Sequence, residues 1–200
     1  MMRRIEALDI LAPRLTDHPV VVTCAATSRE LAYVQDSDNH MYLLDSMGLA
    51  GSVAAGLALA LDDQMEKVVA IEGDGSLFMN PNVLFTNATL NLRNLVIVLL
   101  DNAVFGSTGN LPTYADSIDL GSVAIALGHE VRRADDADSL RRELDELLSV
   151  DGPSFLHVRI EVGNAEVEKV LVDPVDIKTR FTSWVASANR LRGKEPTHVH

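Results

Sequence analysis

Runs of apolar, mostly β-branched residues alternate along the chain with segments whose apolar positions recur at helical spacing. The runs predict buried strands at 18–26, 41–44, 67–71, 94–101 and 154–160, and a shorter one at 130–131. The segments between them predict helices at 28–34, 46–61, 81–91, 117–128 and 136–150. Strands this apolar, separated by helices, are typical of a parallel sheet that is covered on both sides. The pattern therefore predicts an α/β fold, a doubly wound parallel sheet with helices on both faces.

The composition changes beyond Gly163. An irregular arm leads to a helix that begins at about Asp176, and a polar stretch continues from there to His200. The sequence contains no internal repeat, low-complexity tract or sign of a second domain. We therefore predict one domain over residues 1–185 and a polar C-terminal tail over residues 186–200.

The chain is acidic, with a formal net charge of −12 over 200 residues. Such a charge repels phosphate backbones and anionic lipid surfaces, so we expect neither nucleic acid nor a membrane as a partner. Cys24 is the single cysteine, which rules out an internal disulfide and fits a reducing compartment. Glu6 stands where a signal peptide would be apolar, and no apolar run reaches membrane-spanning length. We therefore expect a cytoplasmic protein.

A polar segment with two glycines, Gly73-Asp74-Gly75-Ser76, follows the predicted strand at 67–71. Open α/β sheets bind ligands at the carboxyl ends of their strands. Glycines let the backbone approach a ligand closely, and an aspartate is a hard oxygen ligand for Mg²⁺. The segment is thus a candidate site for a phosphate and its metal. A tight turn followed by a helix cap explains the same four residues.

The next predicted strand also ends in oxygen ligands, Asp101 and Asn102. Consecutive strands of a parallel sheet often lie side by side, which would bring Asn102 close to Asp74. The Asp74 carboxylate, the Asn102 amide oxygen and a nearby backbone carbonyl can then share one octahedral Mg²⁺ with a diphosphate.

The spacing of these two segments resembles the diphosphate-binding motif of thiamine-diphosphate (ThDP) enzymes, in which Gly-Asp-Gly is followed by Asn-Asn. Asp101 replaces the first asparagine of that pair. The resemblance implies ThDP and Mg²⁺ as cofactors, with Asp74, Asn102 and the backbone carbonyl of Val104 as metal ligands. It implies further cofactor contacts from Gly73, Gly75, Ser76, Gly106, Ser107 and Thr108.

A second segment, residues 42–61, is similar to the part of ThDP enzymes that holds the aminopyrimidine ring. The resemblance implies that Met47 wedges between the two rings of the cofactor and that the carbonyl of Asp45 accepts a hydrogen bond from the exocyclic amine. Ser46 lies between them, and Thr27 matches a residue that helps to bind the diphosphate. Without this resemblance, a methionine at the head of an alanine-rich helix is more often a core residue.

Over residues 5–185 the chain most resembles sulfopyruvate decarboxylase β subunits and the C-terminal half of phosphonopyruvate decarboxylases. The resemblance implies decarboxylation of a small 2-oxo acid, with sulfopyruvate ahead of phosphonopyruvate, to CO₂ and an aldehyde such as sulfoacetaldehyde. Carboligation of the acetolactate-synthase type is one alternative. A catalytically silent scaffold or regulatory partner is another.

The glutamate that activates the cofactor in these enzymes belongs to a pyrimidine-binding domain, for which 200 residues leave no room. The resemblance therefore implies a separate α subunit and a hetero-oligomer such as α₂β₂ or larger. No lysine or arginine occurs between Arg93 and Arg132, so we expect the partner to supply the cationic groups that bind an anionic substrate. His40 is a candidate acid/base residue, although a solvated turn histidine is the favoured interpretation.

Overall fold

A computed structural model describes residues 1–62 and 65–191. Its strands, in chain order, are β1 (Val20–Val22), β2 (His40–Tyr42), β3 (Val68–Gly73), β4 (Leu95–Asp101), β5 (Val104–Phe105), β6 (Leu111–Pro112), β7 (Glu130–Ala134) and β8 (Ser154–Arg159). Its α-helices are α1 (Arg4–Leu11), α2 (Ala26–Gln35), α3 (Ala50–Ala60), α4 (Asp74–Met79), α5 (Asn82–Leu90), α6 (Leu120–Ala126), α7 (Ala137–Ser149) and α8 (Pro174–Leu191).

Six strands form one sheet in the order β2-β1-β3-β4-β8-β7, and every neighbouring pair in it is parallel. Alternate residues of each strand face opposite sides because the side-chain period of a strand is two. Val69 and Ile71 of β3 therefore belong to one apolar core, whereas Val68 and Ala70 belong to the other. Leu8 of α1 lies in the first core. The predicted doubly wound parallel sheet with helices on both faces is confirmed.

The second core depends on small residues in α3. Ala50, Ala54 and Ala58 are fully buried there, so the helix packs close to the sheet. A Cβ atom at Gly51 would lie 3.2 Å from both terminal methyl groups of Val83 in α5. The alanine and glycine content of this segment thus permits a close approach of α3 to its neighbours.

Some boundaries differ from the sequence-based expectation for local reasons. The predicted helix at 46–61 begins only at Ala50, because Gly48 has a φ of 78° and breaks the helical path. Helix α1 and the antiparallel hairpin of β5 and β6 were not expected. Both are shorter than the window over which hydrophobic periodicity distinguishes a helix from a strand.

Helix α8 continues beyond the predicted domain boundary at residue 185. It runs from Pro174 to Leu191, so residues 186–191 of the predicted tail are helical. Residues 192–200 of that tail lie outside the described residues. Within the described part of the chain, no helix has the length and apolar character that crossing a membrane requires.

A buried polar cluster joins α8 to β2 at the edge of the sheet. His40 is 1% exposed, and its Nδ1 lies 3.2 Å from the hydroxyl of Tyr42. That hydroxyl donates to Asp36 at 3.1 Å, and Arg180 of α8 binds the same carboxylate through two hydrogen bonds of 2.6 and 2.8 Å. Burial lowers the pKa of His40 from its ordinary value of 6.5 to about 4.

We predict that His40 makes the stability of the chain depend on pH. The unfolded chain takes up a proton near pH 6.5 and the folded chain only near pH 4, so the free energy of unfolding falls as pH is lowered through this interval. This difference in the pKa of His40 lowers the free energy of unfolding by about 3 kcal/mol over the whole interval. Urea unfolding measures the free energy of unfolding of the chain and of His40→Gln at several pH values in this interval. We expect this free energy to depend much less on pH in the variant. Parallel profiles would contradict the prediction.

Candidate functional site

A cavity opens at the carboxyl edge of the sheet, between the ends of β1, β3 and β4. Its wall is formed by the segment after β1, by Met47, by the turn from β3 into α4, and by the 3₁₀ turn at Gly106–Thr108. β3 and β4 pair in register with Gly73 opposite Leu100, so the residues after both strands lie at the same edge. This is where open α/β sheets bind their ligands.

The structure brings most of the predicted cofactor residues to this cavity. They are Thr27, Met47, Gly73, Asp74, Gly75, Ser76, Asn102, Val104, Gly106, Ser107 and Thr108. Asp45 instead lines a neighbouring cavity, and Ser46 lines neither of them. His40 is neither at the site nor a solvated turn histidine, because it is buried at the first position of β2, in the cluster with Tyr42.

Asp74 is held between two segments of the chain. One carboxylate oxygen accepts a hydrogen bond of 2.6 Å from the Thr113 hydroxyl, and the other accepts a longer one of 3.4 Å from the Asn102 N–H. Asp74 is 2% exposed. Burial raises the pKa of its carboxyl, and the charge of Asp101 acts in the same direction, against the hydrogen bond from Thr113. A cation beside Asp74 would offset this burial cost.

Asn102 supplies an amide to the same corner of the cavity. Its side-chain oxygen accepts a hydrogen bond of 3.2 Å from the Val104 N–H, and its Nδ2 atom is buried without a hydrogen-bond partner. Ala103 between them has a φ of 58°, an unusual value for a residue other than glycine. The turn thus places Asn102 and Val104 in the wall of the cavity that Asp74 also lines.

These residues fit a magnesium ion that is bound together with a diphosphate. A carboxylate, an amide oxygen and a backbone carbonyl are the hard oxygen ligands that Mg²⁺ takes in proteins. Among the described residues, no group of three or more His, Cys, Asp or Glu side chains is placed to hold a metal ion. One carboxylate and two neutral oxygens would leave coordination positions of Mg²⁺ for phosphate oxygens and water.

Asp101 has a structural role next to Asn102. Its carboxylate accepts hydrogen bonds from His157 Nε2 at 2.7 Å, from Arg159 at 2.8 Å and from the Ala103 N–H at 3.0 Å. Burial alone would raise the pKa of Asp101, but these hydrogen bonds outweigh it and hold the pKa below its ordinary value. Asp101 therefore anchors the turn that carries Asn102.

The loop that carries Met47 is anchored to the end of β3. Ser76 Oγ accepts a hydrogen bond of 2.9 Å from the Gly48 N–H and lies 2.8 Å from the hydroxyl of Thr23. Glu72, which is 1% exposed, accepts a hydrogen bond of 2.8 Å from the Gly51 N–H. The position of Met47 is thus tied to the segment that carries Asp74.

Gly75 lies under an aromatic ring. A Cβ atom built at Gly75 would lie 2.6 Å from Cδ1 of Phe105, whereas a Cβ at Gly73 would meet nothing within 4 Å. Phe105 belongs to β5, and the hairpin of β5 and β6 leads on to Thr113. The second glycine of the motif therefore permits the hairpin to pack directly on α4.

Several residues at the cavity were missed in the sequence, among them Arg4, Arg29, Phe105 and Asn164. Arg4 donates to Glu30 at 3.0 Å and to Asn164 at 2.9 Å. α1 and α2 thus bring two guanidinium groups of this chain to the cavity. The expectation that a partner supplies cationic groups for an anionic substrate stays a prediction. A signal was present, since Arg29 lies two residues after Thr27 on the same helix.

Comparison with known proteins agrees with this geometry. Residues 21–158 match the family described as thiamine pyrophosphate enzyme, C-terminal TPP binding domain. Thiamine pyrophosphate and ThDP are the same compound. Sulfopyruvate decarboxylase subunit beta from Methanothermobacter thermautotrophicus is 44% identical over 188 residues, which cover 94% of this chain and 98% of that protein.

Two further proteins extend the comparison. Phosphonopyruvate decarboxylase from Streptomyces viridochromogenes is 36% identical over 187 residues, which cover 92% of this chain but 46% of that protein. The crystal structure of benzoylformate decarboxylase from Polynucleobacter necessarius superimposes with a TM-score of 0.67 at 21% identity, over 80% of this chain and 33% of that one. This last similarity shows the fold. Together with the family match, these findings show that the chain belongs to the thiamine pyrophosphate enzymes, as a C-terminal TPP-binding domain.

Proposed function

We propose that this chain is the β subunit of a two-chain, ThDP- and Mg²⁺-dependent decarboxylase that converts sulfopyruvate to sulfoacetaldehyde and CO₂. One observation carries the proposal: the 44% identity to a sulfopyruvate decarboxylase subunit beta extends over 98% of that protein. The cavity supports the cofactor assignment, since Asp74, Asn102 and Met47 all line it.

Each group of residues at the cavity has a defined task in this proposal. The Asp74 carboxylate and the Asn102 amide oxygen bind Mg²⁺, with the Val104 carbonyl as a third protein ligand. The hydroxyl group of Ser107 is a donor for diphosphate oxygens, whereas the hydroxyl of Thr108 donates to the Phe105 carbonyl at 2.9 Å and holds the turn. Met47 supports the ring system, and the hydrogen bond between Gly48 and Ser76 holds it in place. When bound, ThDP supplies the electron sink for the loss of CO₂ from a 2-oxo acid.

The chain requires a partner in this proposal. The Methanothermobacter thermautotrophicus relative is named a beta subunit, which implies another subunit in that protein. The phosphonopyruvate decarboxylase relative matches this chain over only 46% of its length, so it carries additional sequence of about the same size. We infer that an α subunit with the pyrimidine-binding domain contributes the activating glutamate, in a cytoplasmic α₂β₂ or larger assembly. Phosphonopyruvate is the second candidate substrate, because the enzyme named for it is 36% identical.

The proposal is tested by assaying the purified chain alone and together with its co-expressed α subunit. With ThDP and Mg²⁺ present, we expect the complex to release CO₂ and sulfoacetaldehyde from sulfopyruvate, and the chain alone to release neither. Phosphonopyruvate and pyruvate complete the panel, and products are identified by mass spectrometry. Faster turnover of phosphonopyruvate would replace the proposed substrate. Condensed products would indicate carboligation, and an inactive complex that binds no ThDP would indicate a scaffold.

Replacing Asp74 should abolish metal-dependent cofactor binding. We expect Asp74→Ala to weaken Mg²⁺-dependent ThDP affinity more than about a hundredfold, because the loss of even an outer partner of a metal ligand costs ten- to a hundredfold. The measurement is calorimetric titration of ThDP into the complex at fixed Mg²⁺. Asp116→Ala is the matched control, since Asp116 is exposed and does not line the cavity. Equal affinities in the two variants would refute the ligand assignment.

Ser76 should link stability to cofactor binding. Its hydroxyl holds the Gly48 N–H, so we expect Ser76→Ala to lower the free energy of unfolding by about 1 kcal/mol and to weaken ThDP affinity about tenfold. Ser154 is a matched control, because it is also buried but donates to Gly152 at the amino end of β8. Ser154→Ala should lose similar stability and keep its ThDP affinity. An affinity loss of the same size in both variants would show that the effect is not local.

A further inference from the structure

Arg29 differs from the other arginines whose side chains the structure describes. Each of those arginines has a carboxylate oxygen at ion-pair distance. Arg29 has no such ion pair among the described residues, although the chain carries a net charge of −12 and is rich in carboxylates. A half-buried guanidinium without a counter-ion is unusual in such a chain, because burial of an unpaired charge is costly.

The backbone holds Arg29 at the junction of two cavities. Its Nε donates to the carbonyl of Ala25 at 3.3 Å, and its own N–H binds the same carbonyl at 3.2 Å. Ala25 has a φ of 62°, a conformation that an alanine adopts at a cost of about 1–3 kcal/mol. The described residues accept no hydrogen bond from the two terminal nitrogens of Arg29. The guanidinium is thus oriented by the backbone, while the N–H groups of its two terminal nitrogens can donate to a ligand.

The second cavity adjoins the cofactor cavity and shares Ala25 and Arg29 with it. Its other lining residues include Ser28, Asp45 and Lys169. Two cationic side chains and one carboxylate therefore line the cavity, which leaves it attractive to a single additional anion. Asp45 stands two residues before Met47, so this cavity borders the segment that is expected to hold the aminopyrimidine ring.

We propose that Arg29, assisted by Lys169, binds the distal acid group of the substrate in the second cavity. This inference rests on the proposed function. Sulfopyruvate carries a carboxylate, which leaves as CO₂, and a sulfonate, which is unchanged in the product. A site for the sulfonate therefore distinguishes this substrate from pyruvate, whose tail is uncharged. The planar guanidinium presents paired N–H donors that suit the oxygens of a sulfonate or phosphonate.

The other cationic residue at the cofactor cavity is less suited to this task. Arg4 is buried and its guanidinium is engaged by Glu30 and by Asn164, so its charge is already compensated. The proposed metal site at Asp74 and Asn102 accounts for the charge of a diphosphate without Arg29. The anionic groups that remain are the two of the substrate, and of these only the distal acid keeps its charge in the product.

The test uses the complex of this chain with its α subunit, loaded with ThDP and Mg²⁺. We expect Arg29→Met to lower kcat/KM for sulfopyruvate by about ten- to a hundredfold, mainly through KM, since hydrogen bonds to charged groups have this strength. Turnover of pyruvate and the affinity for ThDP should change less than about twofold. Arg29→Lys should recover part of the loss, and Lys169→Met should show a smaller one. Arg14→Met is the control, because Arg14 pairs with Asp145 and lines neither cavity.

Direct binding separates this inference from the proposed function. Calorimetric titration of 3-sulfopropanoate into the loaded complex measures sulfonate recognition without turnover. Binding that weakens at least tenfold in Arg29→Met supports the site even if no 2-oxo acid is decarboxylated. The inference is overturned if Arg29→Met leaves sulfonate binding unchanged, if sulfopyruvate and pyruvate lose activity equally, or if ThDP affinity falls by the same factor. The last result would assign Arg29 to the diphosphate. Arg29→Lys keeps the test valid if Arg29→Met does not fold.

Discussion

The parallel pairing of β3 with β4 is the constraint on which the site depends. Six consecutive residues of β3 pair with β4, from Val68 opposite Leu95 to Gly73 opposite Leu100. The apolar residues of both strands pack alternately into the two cores, so a shift by one residue would exchange the side chains that each core receives. This register places Asp74 within hydrogen-bond distance of the Asn102 backbone. The apolar cores thus set the position of two polar residues that belong to neither.

Much of the fold and the centre of the site follow from local signals. Apolar runs identify strands because buried strands exclude polar side chains, and the first polar residues after a run mark the edge where ligands bind. Asp74 and Asn102 were found in this way. Asp101 was also recognised as a departure from the family pattern, but its partners His157 and Arg159 lie on β8, more than fifty residues later in the sequence. Their contact with Asp101 depends on strand order.

The residues that sequence reasoning missed come from distant segments. Arg4 and Asn164 are 160 residues apart in the sequence yet are joined by a hydrogen bond of 2.9 Å at the cavity. Thr113 reaches Asp74 only because a short hairpin folds back. Arg29 lies outside the stretch between Arg93 and Arg132 that lacks lysine and arginine, since α2 precedes that stretch, and only the fold brings Arg29 to the cavity. Local pattern therefore locates strand ends, whereas the composition of a cavity wall depends on tertiary contacts.

The contact between Gly75 and Phe105 restricts how this protein can change during evolution. A side chain at position 75 would overlap the ring of Phe105, with its Cβ 2.6 Å from the nearest ring carbon. A larger residue at 75 is therefore compatible only with a smaller or displaced residue at 105, so the two positions are expected to vary together among relatives. Since the hairpin that carries Phe105 leads to Thr113, such a paired change would also alter the support of Asp74. A substitution in the glycine motif would in this way alter the proposed magnesium site at Asp74 through the hairpin.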